Sequence, residues 1–136
     1  MVTPQFFHAG RAVFTIDNGR GDHYTFKVKR AKFSGKAVSD QPVFIQVMTH
    51  GAGGYTYMGM LDRNNECRAT RKSSFTDQST AVRVFNFASA IIHGVRPLPQ
   101  GYQIHHEGAC GKCGRSLTDP ISITTGLGPV CRGEHR

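Results

Sequence analysis

The sequence predicts an α+β fold, in which one helix packs on an antiparallel β-meander of four or five strands and a small zinc-ribbon or treble-clef-like module follows. Three observations predict it. Apolar residues alternate with period two between Arg11 and Lys72, and they repeat at helical spacing between Ser79 and His93. Three of the four cysteines lie C-terminal to Gly101. We therefore expect a basic α+β domain over residues 1–96 and a zinc-binding module over residues 97–136.

Short polar connections separate the predicted strands. Arg11–Asp17 and His23–Arg30 form a hairpin around Asn18 and Gly19, because both residues tolerate the positive φ of a tight hairpin turn. Further strands are expected at Val43–Thr49, at Tyr55–Leu61 and, as a short fifth strand, at Glu66–Lys72. A loose turn at residues 50–54 joins the third strand to the fourth. Consecutive strands with such short links predict an antiparallel meander.

The second strand carries two kinds of side chain in alternation. Tyr24, Phe26 and Val28 point to one side of the strand. The residues between them are polar or basic: His23, Thr25, Lys27 and Lys29. This pattern predicts a half-buried strand with a basic outer face.

One amphipathic helix follows the strands. Its apolar residues fall on one side at about 100° per residue, and they are Ala81, Val84, Phe85, Ala88, Ile91 and Ile92. Either Thr76 or Asp77 is expected to cap its start, and Gly94 to end it. The helix should lie across one face of the sheet.

The positive charge is concentrated in the N-terminal part of the chain. The 136 residues carry a net charge of +8, and +7 of it lies before Gly101, where 13 basic residues face six acidic ones. We therefore expect any acidic partner to bind the N-terminal part. No apolar run reaches the roughly 18–20 residues of a membrane span, and the first ten residues do not resemble a signal peptide. The expected location is the cytoplasm, or the host cytoplasm if a phage encodes the protein, where cysteines more often bind metal than form disulfides.

The C-terminal cysteines predict a site for one zinc ion. Cys110 and Cys113 are spaced so that one tight turn presents both to a metal, and Cys131 supplies a third thiolate. The preferred fourth ligand is His106, which lies on an expected strand leading into the turn, and the alternative is His135. We interpret the zinc as structural rather than catalytic. A redox dithiol is the less favoured alternative for the Cys110–Cys113 pair, and the remaining cysteine, Cys67, is expected to be a buried structural residue.

The C-terminal segment resembles a family of uncharacterised bacterial and phage proteins. From His106 to Cys131 it reads HEGACGKCGRSLTDPISITTGLGPVC, with Leu127 where the family usually has Ile and Ile121 where it often has Glu. Upstream, FTIDNGRGDHYTFKVKR, YTYMGML and TRKSS look like the strand-rich region of the same family. The resemblance implies a small zinc-containing protein carried by phages or mobile elements, and it supports His106 as the fourth ligand. It transfers no activity.

Nucleic-acid binding is the function that the sequence favours, with DNA expected rather than RNA. The expected contact residues form two basic clusters, Lys27, Lys29, Arg30, Lys32 and Lys36, and then Arg68, Arg71 and Lys72. Tyr24, Tyr55 and Tyr57 are candidates for stacking on bases. The alternative is an inhibitor or adaptor that docks on a host enzyme. We do not expect an enzyme, because the sequence contains no paired catalytic carboxylates, nucleophile–base arrangement or phosphate-binding loop.

Overall fold

Six strands form one antiparallel sheet in a computed structural model that describes residues 2–31, 41–49, 54–112, 114, 117 and 125–127. The strands are β1 (Arg11–Asp17), β2 (His23–Arg30), β3 (Val43–Met48), β4 (Tyr55–Leu61), β5 (Cys67–Arg68) and β6 (Gln103–His106). The helices are α1 (Pro4–Phe7) and α2 (Thr80–Ile92). Several predictions fall outside the described residues: those on Lys32, Lys36, Cys113, Cys131 and His135, and most of the turn at residues 50–54.

The sheet has the order β5-β4-β3-β2-β1-β6. The predicted meander from β1 to β5 is confirmed, but the expected count of four or five strands is wrong. The strand leading to the cysteines, β6, pairs with β1 in the register Ile16 to Ile104 and Phe14 to His106. The reason is that the meander leaves one edge of β1 unpaired, and an unpaired strand edge readily accepts another strand. The buried Ile104 side chain then extends the core.

Helix α2 covers one face of this sheet, as its apolar spacing predicts. The Phe85 ring lies 5.3 Å from Phe26 and 6.2 Å from Phe14, measured between ring centroids. The predicted cap was wrong, because the helix begins after Ser79, whose side-chain oxygen accepts a hydrogen bond from the Thr76 amide at 2.9 Å. No helix in the described part of the chain is long and apolar enough to span a membrane.

The short strand β5 carries the one cysteine expected to be structural. Cys67 is 1% exposed and belongs to the core between the sheet and α2. Burial, followed by the negative charges of Asp77 and Asp62, raises the pKa of its thiol to about 12. The thiol therefore stays protonated at neutral pH and is a poor nucleophile, in agreement with the structural interpretation.

Helix α1 was not predicted, because four residues are too few to show a helical repeat. Thr3 caps it by accepting a hydrogen bond from the Phe6 amide at 3.2 Å. An isolated helix of this length is not stable in water, so tertiary contacts must hold it in place. The rings of Phe6 and Phe7 supply these contacts, since they are 1% and 0% exposed.

Two histidines join the end of α1 to the end of α2. His8 Nε2 lies 2.9 Å from His93 Nε2, and His93 Nδ1 donates to the Ser89 carbonyl at 2.7 Å. His93 therefore accepts through Nε2 when neutral, and His8 donates. Burial, then the His93 and Arg30 charges, lowers the pKa of His8 below its usual range.

This lowered pKa predicts that acid destabilises the junction between the helices. Between the usual histidine pKa of about 6.5 and the lower folded-state pKa of His8, the unfolded chain binds a proton that the folded chain does not. The free energy of unfolding should therefore fall as pH decreases through this window. A His8→Gln variant keeps a hydrogen-bond donor but cannot titrate. We expect it to lose less thermal stability than the parent between about pH 7.5 and about pH 5.5, the range in which histidines usually titrate. Equal losses in the two proteins would contradict this assignment.

Candidate nucleic-acid interface

The sheet face opposite α2, here the far face, carries the polar half of each strand. Cross-strand register aligns Arg11 with Lys29 and Lys29 with Phe44 in one row. A second row contains Val13, Lys27, Gln46 and Tyr57. The basic outer face that the alternation in β2 predicts is therefore present, and β1 and β3 extend it.

Three cations crowd together on the far face. Arg11 and Lys29 are direct cross-strand neighbours, and Lys27 precedes Lys29 on the same side of β2. Burial, then the charges of Arg11 and Lys29, lowers the pKa of Lys27. Within the described ranges no carboxylate forms an ion pair with any of the three. Like charges placed directly opposite each other destabilise a sheet, so this arrangement favours an anionic ligand that would relieve the repulsion.

Aromatic side chains lie beside these cations. The Phe44 and Tyr57 rings pack edge to face with centroids 6.0 Å apart. The Tyr57 hydroxyl lies 3.0 Å from the Thr70 hydroxyl, which fixes the direction of the ring. Lys27 Nζ lies 4.2 Å from the centroid of the Tyr55 ring. Two of the three tyrosines predicted for stacking thus share the far face with the cations.

Tyr24 does not belong to this group. It lies on the α2 side of the sheet, where its ring stacks on Phe26 with centroids 5.9 Å apart and planes inclined by 8°. The period-two alternation of β2 already separates Tyr24 from Lys27 and Lys29. Tyr24 therefore lies on the opposite face of the sheet from the cations, and the prediction that it stacks on bases beside them is wrong.

The sheet is curled, which draws distant strands together over the far face. Tyr55 is on β4 and Glu107 follows β6, with β3, β2 and β1 between those strands. Nevertheless the Glu107 charge contributes, after burial, to raising the pKa of Tyr55. Glu107 also accepts a hydrogen bond from the buried Thr15 hydroxyl.

A groove of about 830 Å³ opens at one end of the far face. Phe44, Gln46 and Tyr57 line it on the sheet side. The basic residues that line it come from four separate segments of the chain, and they are Arg11, Lys29, Arg30, Lys72 and Lys112. We call this feature the basic groove. Aromatic rings and cations in one concave site are the two components that single-stranded nucleic acids require.

The structure divides the predicted contact residues into groups. Lys29, Arg30 and Lys72 line the basic groove, and Lys27 lies next to it on the far face. Arg68 instead pairs with Asp62 at 2.9 Å and with Glu66 at 3.7 Å, so its charge is already balanced. Arg71 is exposed and is not one of the described residues that line the groove. Of the second predicted cluster, Lys72 therefore lines the groove, and Arg68 and Arg71 do not.

Two basic residues of the groove, Arg11 and Lys112, were missed by sequence reasoning, and so was the aromatic Phe44. Arg11 could have been found from the predicted strand bounds, because pairing the strand ends Asp17 and His23 places Arg11 opposite Lys29. Lys112 had no such signal. It lies in the segment whose small net charge argued against a role in binding, and only the fold brings it to the groove.

Two of the predicted zinc ligands are described, His106 and Cys110. Cys110 is 1% exposed, and its Sγ accepts a hydrogen bond from the Lys112 amide at 3.4 Å. His106 Nδ1 accepts from the Gly108 amide at 2.9 Å. The His106 ring lies 5.6 Å from the Phe6 ring, and Gly111, the residue after Cys110, lies directly against the same ring. His105, next to His106 on β6, points the opposite way, to the far face beside Thr15.

The geometry of this turn fits a metal-binding cysteine, but the described residues do not complete a ligand set. A backbone amide that donates to the sulfur from two residues further along the chain, as that of Lys112 does, stabilises the thiolate form of the cysteine. No group of three potential ligands occurs in the described part of the chain. The other predicted ligands, Cys113 and Cys131, and the alternative ligand His135 lie outside that part.

Fold and groove together define a small α+β protein whose curled antiparallel sheet carries a basic, aromatic-lined groove. Residues 104–136 match the model of a family of unknown function (DUF6011). The match covers all but the first residue of β6 and the cysteine segment, and it leaves the rest of the sheet unmatched. No curated protein and no solved structure matches the chain.

Proposed function

We propose that this protein binds single-stranded nucleic acid, DNA in preference to RNA, in the basic groove. The observation that carries the proposal is the cation cluster of Arg11, Lys27 and Lys29 beside the rings of Phe44 and Tyr57. Phosphates would lie against the cations, and the counterions condensed on the nucleic acid would be released. Bases would stack on the exposed parts of the rings, which gives affinity with little sequence preference.

Single strands suit this site better than duplexes. A duplex keeps its bases stacked on each other, so aromatic residues on a sheet contribute little to its binding, whereas an unpaired base presents its ring face. The Phe44–Tyr57 pair also lines the groove together with Arg11, Lys29 and Lys72. A backbone in the groove can therefore contact cations near a stacked base.

Fluorescence anisotropy with a labelled oligothymidine across a salt series tests the proposal. The logarithm of the affinity should fall linearly with the logarithm of salt concentration, with a slope of about −0.7 for each phosphate contact. Lys29→Glu should weaken binding by about tenfold or more at about 0.1 M salt, because it removes a phosphate contact and adds a negative charge. The matched control is Arg83→Glu, which makes the same charge change on the exposed side of α2 and should leave affinity nearly unchanged.

A second variant separates stacking from charge. Phe44→Leu keeps an apolar side chain but removes the ring, so it should weaken single-strand binding by about 1–3 kcal/mol while affecting duplex binding much less. Salt-independent binding, or equal weakening by Lys29→Glu and Arg83→Glu, would overturn the proposal. Retention of a host enzyme by a chain that binds no oligonucleotide would favour the inhibitor or adaptor instead. Parallel titrations with oligouridine test the preference for DNA.

We further propose that one structural zinc ion is held by His106, Cys110, Cys113 and Cys131. Support comes from the cysteine spacing and from the buried Cys110 turn, which meets His106 at the Phe6 ring. Elemental analysis of the purified chain should find one zinc per molecule, and Cys110→Ser should reduce it strongly. His106→Ala and His135→Ala, compared side by side, decide the fourth ligand. A chain purified without chelators that contains no zinc, and takes up none, would contradict the assignment.

A further inference from the structure

The turn that begins at Cys110 contributes one described residue to the lining of the basic groove. Its middle residue, Lys112, lines the groove together with Arg11 and Lys29. The turn is closed internally by a hydrogen bond of 2.9 Å from the Gly114 amide to the Cys110 carbonyl. The conformation at Cys110 therefore determines where Lys112 projects.

The same turn also supports the neighbouring cation. The Arg11 amide donates to the Gly111 carbonyl at 2.7 Å, which joins the turn to the first residue of β1. A methyl group built on Gly114 would lie 3.8 Å from the guanidinium carbon of Arg11, so the turn runs directly beside that side chain. Two groove cations, one on the turn and one beside it, thus depend on how the turn is held.

A third set of contacts ties the turn to the rest of the C-terminal segment. The Gly111 amide donates to the Gly126 carbonyl at 2.8 Å, and both glycines lie against the Phe6 ring. These hydrogen bonds and the contact with the Phe6 ring hold the turn in place. A thiolate–metal bond at Cys110 would fix the turn more firmly, because ligands around a zinc ion are held in one tetrahedral arrangement.

We propose that the Cys110–Gly114 turn is a metal-controlled part of the nucleic-acid site. In this arrangement Lys112 contacts a backbone phosphate, and zinc at the turn raises the affinity of the groove for single-stranded nucleic acid by fixing Lys112 and Arg11 in place. The inference rests on the proposed function and adds a regulating ligand to the same site. Because coupling between two binding sites is reciprocal, the oligonucleotide must raise zinc affinity by the same factor.

Two titrations of the full-length chain test the coupling. In the first, labelled oligothymidine is added to the zinc-loaded protein and to its Lys112→Ala and Arg83→Ala variants. Lys112→Ala should weaken binding several-fold and reduce the salt slope by about 0.7, the value for one single-strand phosphate contact. The control, Arg83→Ala, should change neither, since Arg83 is on the exposed side of α2.

In the second titration, a chromophoric chelator competes for zinc with and without saturating oligothymidine. We expect zinc affinity to rise at least about fivefold with the oligonucleotide, the lower end of typical coupling, and by less in Lys112→Ala. This measurement remains valid if the zinc-free chain loses structure, because it starts from the loaded protein.

The outcomes separate the inference from the function on which it rests. If Lys29→Glu weakens binding but Lys112→Ala does not, or if zinc affinity is the same with and without oligonucleotide, the inference fails and the proposed function stands. A chain that binds oligonucleotide but no zinc overturns the inference and the zinc assignment, and it leaves the nucleic-acid function standing. If no variant binds less than the parent, or the parent binds no oligonucleotide, both fail.

Discussion

Replacing Phe7 with alanine is expected to lower the free energy of unfolding by about 3–5 kcal/mol, the usual cost of truncating a fully buried phenylalanine. The Phe7 ring is 0% exposed. Its centroid lies 5.9 Å from Phe85, 6.0 Å from Phe14 and 4.8 Å from His93, so it joins α1, the sheet and α2. Removing it leaves a cavity at the point where all three meet.

Urea denaturation followed by far-UV circular dichroism measures this loss. The control is Val95→Ala, because Val95 is 78% exposed and its truncation should change stability by less than about 0.5 kcal/mol. The expected loss in Phe7→Ala is a large part of the roughly 5–15 kcal/mol that stabilises a typical domain. A loss below about 1 kcal/mol would show that α1 is not part of the cooperative core.

Replacing Gly126 with alanine is expected to destabilise the chain by about 2–5 kcal/mol, from two causes. Gly126 has φ of +75°, a conformation that costs residues with a Cβ about 1–2 kcal/mol. In addition, a methyl group here would lie 2.3 Å from the Phe6 ring, which is buried and has little room to move. The C-terminal segment would then separate from α1.

Two matched variants separate the causes. Gly94→Ala has the same φ of +75° but meets nothing within 4 Å, so it measures backbone strain alone. Gly111→Ala has no positive φ but would meet the Phe6 ring at 2.7 Å, so it measures the steric clash. Differential scanning calorimetry should rank Gly126→Ala as the least stable of the three. If it is no less stable than Gly94→Ala, the contact with Phe6 does not hold the segment.

Local patterns predicted most of the regular structure. The bounds Arg11–Asp17, His23–Arg30 and Tyr55–Leu61 are those observed, because alternation and turn chemistry are encoded within a few residues. The fifth strand was predicted over Glu66–Lys72 but comprises Cys67–Arg68. On the open edge of β5, the Cys67 amide donates to the Asn86 side chain at 2.7 Å, and the Ala69 amide donates to the Asp77 side chain at 2.9 Å.

The candidate site was predicted in part. Composition and alternation identified Lys27 and Lys29 on a basic face, and the structure adds Arg11 and Lys112 around a groove. Arg68 could not be separated from the free cations by sequence, since its partner Asp62 is six residues away across a turn whose geometry the sequence does not show. Counting charges by segment likewise missed Lys112, because the net charge of a segment does not show where each side chain lies in the fold.

The sequence by itself determined the elements of this protein: the strand alternation, the position of the first hairpin, the helical stripe of α2 and the cysteine spacing. These depend on neighbours within one turn or one strand, where backbone geometry fixes which side chains share a face. Tertiary structure alone decided that β6 pairs with β1, that His8 meets His93, and that the Cys110 turn brings Lys112 to the groove. Each joins residues far apart in the chain, and such contacts form only when the whole core is buried together.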